Sequence, residues 1–318
     1  MPVQAISCWA QGDSSLKTAV LLIAVAALLL LNIGCSPAAT SSSQKSIVVT
    51  YSILGSIVKE LVGDSANVTV LIPNGLDPHE WEPSAKDIEK AYKANLLVCN
   101  GLNLENGLSK TIANAAQQGV HTFYASDYIS VRHVGQGEGI PSGDPDQAIG
   151  AADPHLWMDP LTLKQVITPL AADIKSFLNL DVSQQAANVM SELDALNSDI
   201  ITKLSVIPLA DRKLVTGHES MGYFANRYNF QLVGVIVPSL SSAADVTAAD
   251  LSNLKQIVQQ TQVKAIFTEL GTSAATAKTI AQETGVKVVE LSTHALPADG
   301  TYSSFMEQLA QTIIDALK

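Results

Sequence analysis

Apolar residues recur at steps of three and four through Ala186, Val189, Leu193, Leu196, Ile200, Leu204 and Ile207. That spacing predicts one helix from about Ser183 to Ile207, stopped by Pro208, whose ring cannot continue the hydrogen-bond ladder. At 1.5 Å per residue, about 25 residues make a rod of roughly 37 Å, the length of a domain. Such a rod separates whatever folds on either side of it. Before it, strand patterns at Ile47–Tyr51, Val68–Ile72, Leu96–Cys99 and Val120–Tyr124 alternate with helical patterns at Leu54–Val62, Ser84–Tyr92 and Leu104–Gln117. Ser84, with Asp87 three residues on, reads as a capping box. After the rod, strands are expected at Lys213–Thr216, Phe230–Val237, Lys264–Thr268 and Lys287–Leu291. Helices start near Ser220, Thr247 and Ser273, and an amphipathic helix closes the chain at Tyr302–Leu317. Strand–helix alternation gives an α/β class with mainly parallel sheets, here as two α/β lobes. A shorter helix precedes the rod, with Leu163, Val166, Leu170, Ile174 and Phe177 on one face.

The domain boundaries follow. Residues 1–35 read as a targeting segment, 36–46 as a flexible Ser/Ala/Thr-rich tether, 47–180 as the first lobe, 181–208 as the linking helix and 209–318 as the second lobe. Lys17 precedes an unbroken apolar run, Ala19–Leu31, which is short for a membrane span and suits the core of a signal peptide. Leu31-Asn32-Ile33-Gly34-Cys35 resembles a bacterial lipobox, with Asn32 where Leu is usual; the resemblance implies lipidation of Cys35. A retained membrane anchor would give the same topology. Cys8 would leave with the signal, so Cys99, in an apolar strand, has no internal partner and reads as a small buried hydrophobe. With 47% hydrophobic residues the chain has ample material for a core, and a net charge of −11 argues against nucleic acid and for cations as partners.

Two segments share one frame: Asp77-Pro78-His79-Glu80-Trp81-Glu82-Pro83 and Asp153-Pro154-His155-Leu156-Trp157-Met158-Asp159-Pro160. Asp-Pro-His-x-Trp thus occurs twice in a chain with only 6 His and 3 Trp. Proline fixes its own φ and pushes the residue before it towards extended geometry, so each His stands on a stiff turn with a Trp placed to pack beneath it. Rigidly presented neutral imidazole is a transition-metal ligand. Two ordinary Asp-Pro turns with surface histidines are the plain alternative, and the duplication weighs against it.

In open α/β sheets ligands bind beyond the carboxyl ends of strands. His79, His218 and His294 all follow predicted strands, and His155 follows a long Gly-, Pro- and acid-rich loop, 131–153. Four imidazoles meeting in one cleft would form a tetrahedral site suited to zinc. Other roles stay open: His218 as a turn or capping residue, His294 as a solvated loop residue. Glu219 reads as a first-turn helix residue favoured by the helix dipole, or as a partner to a ligand. Glu269 is placed to orient a ligand His through its other ring nitrogen. His121, inside a strand, reads as structural, and His133, in the acidic loop, as solvated.

At these residues the chain resembles the solute-binding lipoproteins of zinc and manganese ABC importers. The two Asp-Pro-His segments carry the likeness, together with His218-Glu219-Ser220-Met221-Gly222-Tyr223-Phe224-Ala225-Asn226-Arg227-Tyr228 and the segment from Ala295 to Met306. It covers nearly everything after Cys35. The resemblance implies two α/β lobes joined by one long rigid helix, with metal in the interlobe cleft on His79, His155, His218 and His294. It implies a lipid-anchored, extracytoplasmic protein that passes Zn²⁺ to an ABC permease, with no catalysis. Manganese-type members carry Glu where His218 stands and Asp where His294 aligns, so imidazole at both points to zinc, with Mn²⁺ the alternative. The resemblance also brings departures: many zinc members have a His-rich loop before the second motif, and loop 131–153 is acidic with one His. A zinc hydrolase, with Glu219 or Glu269 as base, is the reading from another class, though no HExxH motif is present.

Overall fold

Four parallel strands build the first sheet in the order β2-β1-β3-β4, with β1 (Lys45–Tyr51) and β3 (Leu96–Cys99) inside, β2 (Ala66–Ile72) and β4 (Thr122–Tyr124) at the edges. This describes a computed structural model covering residue 1, residues 44–135, residue 138 and residues 149–318. The apolar targeting run, Cys35 and most of the expected tether lie outside the described residues. Among the described residues, no helix is long and apolar enough to cross a membrane.

A parallel strand covered on both faces needs apolar side chains on both, and β1 supplies Ile47, Val48 and Val49 in succession, all buried. β1 begins at Lys45, two residues inside the segment expected to be tether. Helix α1 (Ser52–Val62) follows without a gap and buries nearly its whole length. Helix α2 (Ala85–Tyr92) starts where the capping box places it: the Asp87 carboxylate accepts the Ser84 N–H at 3.1 Å and its hydroxyl at 2.6 Å. The helix expected from Leu104 begins at Ser109 (α3, Ser109–Gln117), because Leu102 and Asn103 hold left-handed backbone and a short 3-10 turn, Asn106–Leu108, intervenes.

Helix α4 (Pro160–Leu178) is capped by Asp159, whose side chain accepts Leu161 N–H, and has Pro at its first position. Leu163, Val166, Leu170 and Ile174 are buried as expected. Phe177 is not: it is 52% exposed and stacks on His121, while Leu178 takes the inner position. The long rod is α5 (Ser183–Leu204), 22 residues with Ala186, Val189, Leu193, Leu196, Ile200 and Leu204 buried. It ends a turn short of Ile207.

The second alternation gives two parallel pairs, β5 (Lys213–Thr216) with β6 (Gln231–Val235), and β7 (Ala265–Thr268) with β8 (Lys287–Glu290). Helices α6 (Gly222–Tyr228), α7 (Ala248–Thr261) and α8 (Ala274–Thr284) connect them, the last two capped by Thr247 and Ser273. The closing helix α9 (Tyr302–Leu317) packs on α5 and α1. The main core therefore runs from β1 through α4 and α5 to α9, with Phe305, Leu309, Ile313 and Leu317 in it. A smaller cluster around Val215, Ile236, Leu254 and Ile266 fills the second alternation. Residues Lys45–Lys318 form one compact unit, and the main core crosses the boundaries expected at 180 and 209.

The ends of the acidic loop are pinned together. His133 and Ala152 form an antiparallel bridge, and Arg132 pairs with Asp153 at 3.0 Å.

Candidate metal centre

The two Asp-Pro-His segments use the same local device. Asp77 Oδ1 accepts the backbone N–H of His79 at 2.9 Å, and Asp153 Oδ1 accepts that of His155 at 3.0 Å. A carboxylate bonded two residues on closes an Asx turn, and proline between the two removes a competing conformation. The second segment goes further: Asp153 Oδ1 also takes the His155 Nδ1–H at 2.8 Å. Trp157 lies edge-on against His155, ring centroids 5.3 Å apart. Trp81 does not play that part for His79; it packs half-buried on the edge of the main core.

His218 follows β5 across Gly217. A Cβ at Gly217 would collide with Thr272 Oγ1 and stand 3.0 Å from Glu269 Cβ, so only glycine lets this backbone approach the loop after β7. The Gly217 N–H reaches Glu269 Oε1 at 2.9 Å. His294 follows β8 in the next loop. The carboxyl ends of three strands, β2, β5 and β8, thus each deliver an imidazole, and the start of the segment leading to α4 delivers the fourth.

These imidazoles meet. One ring nitrogen from each of His79, His155, His218 and His294 lies within 4.8 Å of the other three, and all four side chains are buried. His155 Nε2 is 3.2 Å from His79 Nε2 and 3.2 Å from His218 Nε2. Zinc–nitrogen bonds of about 2.05 Å in a tetrahedron require nitrogens about 3.3 Å apart. His294 stands slightly back, its ring 5.6 to 6.3 Å from the other three by centroid.

Two of the outer ring nitrogens are hydrogen-bonded and a third faces a carboxylate. His155 Nδ1 bonds Asp153, and His218 Nδ1 lies 3.3 Å from Glu269 Oε2, close enough for charge attraction though not aligned as a hydrogen bond. His294 Nδ1 meets Thr293 Oγ1 at 2.9 Å, and that hydroxyl donates to Glu269 Oε2 at 3.0 Å. Since the hydroxyl proton goes to Glu269, His294 Nδ1 carries the hydrogen and Nε2 is a bare lone pair. His155 is fixed in the same tautomer by Asp153. Buried lone pairs facing one another, with His294 Nε2 without any hydrogen-bond partner, cost free energy that a cation removes.

Burial keeps three of these rings neutral. It pushes His294 down to about 3, with His155 adding to the effect, and holds His79 and His218 well below the ordinary imidazole range. Neutral imidazole is the ligating form. Burial raises the Glu269 carboxyl, against the lowering effect of bonds from Ser220, Thr293 and Gly217. A cavity of about 240 Å³ reaches His79, lined also by Leu102, Asn103, Pro154, Leu240 and Ser241.

Glu269 stands behind the nest, where the sequence places it. Glu219 does not: it lies in the turn before α6, not in a helix, because Ser220 and Met221 are needed to redirect the chain. Burial and the neighbouring Asp153 raise its carboxyl to about 7, and its Oε1 has no hydrogen-bond partner. His121 is removed from the site, paired with Asp173 at 2.6 Å, just before β4 rather than inside it. His133 is exposed on the loop. The sequence reading missed Asp153 as a ring-orienting carboxylate, although its place two residues before the His was the available signal. It also missed Arg132, which bonds Asp153 from the far end of the loop, and buried Glu105, which accepts Asn100 N–H at 2.7 Å while the Asn100 amide holds Pro154 O at 2.8 Å.

Parallel α/β sheets that converge four buried imidazoles at their carboxyl edges define a protein built to hold a transition-metal ion. The chain belongs to the family of the periplasmic component A of the zinc-uptake complex, ZnuA, whose model matches residues 47–316. It is 26% identical over 306 residues to the manganese-binding lipoprotein MntA of Halalkalibacterium halodurans, covering 93% of this chain and 97% of that one. It is 29% identical over 282 residues to the zinc-binding lipoprotein AdcA of Streptococcus pneumoniae, covering 85% of this chain and 54% of AdcA. A crystal structure of ZnuA superposes with a TM-score of 0.72 at 25% identity, over 86% of this chain and 99% of that one. The periplasmic zinc-binding protein TroA from Treponema pallidum shares the fold, with a TM-score of 0.75 at 23% identity. The chain is accordingly the extracytoplasmic substrate-binding component of a metal ABC transporter, which pairs with a membrane permease and ATPase; it is not an enzyme.

Proposed function

We propose that this chain carries Zn²⁺, held by His79, His155, His218 and His294 and handed to the permease. The observation that carries the reading is the donor set: four buried imidazoles and, among the described residues, no carboxylate oxygen in the inner ring. Nitrogen donors in a tetrahedral frame favour zinc, whereas manganese prefers harder oxygen ligands and higher coordination. The metal is cargo, bound without an open position for reacting water. The spans 47–180 and 209–318 flank the ion as lobes, with the 181–208 helix joining them. Cys35 is the lipid attachment point, in keeping with relatives named as lipoproteins.

Equilibrium competition between Zn²⁺ and Mn²⁺, followed by elemental analysis and by anomalous scattering at the zinc edge, tests the assignment. Zinc is expected to displace manganese at equal concentration and to refine between the four rings. Manganese retention under zinc competition, in line with relatives named for manganese, would reverse it.

A further inference from the structure

The loop that carries His79 is fastened to the second half of the chain at two points. The carboxamide of Asn74 makes a reciprocal pair with one peptide unit: Nδ2 donates to Leu296 O at 2.8 Å and Oδ1 accepts Leu296 N–H at 2.7 Å. On the far side of the same loop, Ser242 Oγ donates to Asp77 Oδ2 at 2.6 Å. Gly271 sits under that second contact, where a Cβ would lie 2.9 Å from Asp77 Oδ2.

The first fastening differs from the second in a way that bears on the ion. Leu296 is two residues beyond His294, and Asn74 lies in the turn that precedes the one carrying His79. The Asn74 pair therefore ties together the loops bearing two of the four imidazoles, including the one standing furthest back. Asn74 is exposed, and a cleft of about 410 Å³ lined by Ser52, Ser56, Lys59 and Pro297 brings water to it. Hydrogen bonds that water can replace are individually weak, so water competes for this fastening.

We propose that Asn74 is a positioning residue: through Leu296 it holds His294 against the other three rings and so sets how fast the ion leaves. The inference rests on the four-imidazole reading above. It concerns residence time, since His294 is the ligand whose approach the fastening controls.

The experiment is chelator-driven zinc release in stopped flow, with the full chain, for Asn74→Ala and Asn74→Asp. Asn74→Asp keeps the acceptor for Leu296 N–H and sets a carboxylate against the Leu296 carbonyl. Release is expected to quicken about tenfold in Asn74→Ala, the scale of two solvent-exposed neutral hydrogen bonds, and at least as much in Asn74→Asp. Both variants are expected to melt cooperatively without metal, within a few degrees of the parent, which shows that they fold. The decisive arm repeats Asn74→Ala in a His294→Ala background, where no further acceleration is expected because the ring it positions is gone. Equal acceleration in both backgrounds, or release unchanged in Asn74→Ala, overturns the proposal. If His294→Ala alone binds and releases zinc like the parent, the fourth-ligand reading fails instead, and Asn74 has nothing to position.

Discussion

Replacing Glu269 with glutamine isolates the work of the carboxylate behind the imidazoles. Its Oε2 faces three groups: Ser220 Oγ at 2.5 Å, Thr293 Oγ1 at 3.0 Å and His218 Nδ1 at 3.3 Å; its Oε1 accepts Gly217 N–H. A glutamine that keeps its oxygen on Gly217 turns an NH₂ towards the other three. The two hydroxyls can rotate and accept. His218 Nδ1–H cannot; the favoured tautomer moves the hydrogen to Nε2, the nitrogen aimed at the ion. Groups that orient metal-bound histidines are worth about 10- to 100-fold in affinity, or about 1.4 to 2.8 kcal/mol. Glu269→Gln is therefore expected to weaken zinc by that factor in a chelator-competition titration. The metal-free protein is expected to be as stable as the parent or more so, because a buried carboxylate, already raised by burial, gives way to a neutral amide. A zinc affinity within threefold of the parent in a folded variant would refute the orienting role.

If His79 and His155 are ligands as proposed, His79→Ala and His155→Ala are each expected to lose more zinc affinity than the roughly 100-fold ceiling of an outer partner, measured by calorimetry. Trp157→Ala removes a fully buried ring, its 2.9 Å bond to Thr293 O and its contact with His155; a loss of about 3–5 kcal/mol is expected in denaturant unfolding, with zinc affinity falling as well. Depressed His79, His218 and His294 stay neutral in the fold while the unfolded chain takes up protons below about pH 6.5. Stability of the metal-free protein is thus fully present above that pH and declines below it, by about 1.4 kcal/mol per pH unit per imidazole, which a melting series from pH 7.5 to 4 reads directly. Protons compete for His79, His218 and His294 only well below the ordinary imidazole range, so zinc affinity is expected to fall on acidification less steeply than four ordinary imidazoles would give; a fall as steep as that in a chelator-competition pH series would contradict the depressed values.

Where side-chain period and local punctuation decide the outcome, the sequence was readable. β3 and β5 appear within the residues expected, and α2, α7 and α8 begin behind Ser84, Thr247 and Ser273. The four imidazoles were legible because three lie at strand ends and one repeats the frame of another. What failed depended on tertiary surroundings. Phe177 matched the helical stripe, but the stripe turns away from the core at that end of α4 and the ring instead meets His121. Glu219 matched a helix start, but two more residues are spent in the turn that lets His218 face Glu269. Arg132 carried no signal at all, because its partner Asp153 is 21 residues away in the chain and is brought to it only when the loop ends are bridged. The 3-10 turn before α3 depends on left-handed Leu102 and Asn103, residues that period alone assigns to neither strand nor helix.

The last helix of the chain supplies Phe305, Leu309, Ile313 and Leu317 to the same core that begins with Ile47. Until helix α9 has docked on α5 and α1, that core stands open along one side. The apolar faces of α1 and α5 that α9 covers are then bare, and a partly folded chain carries its aggregation hazard on those two helices.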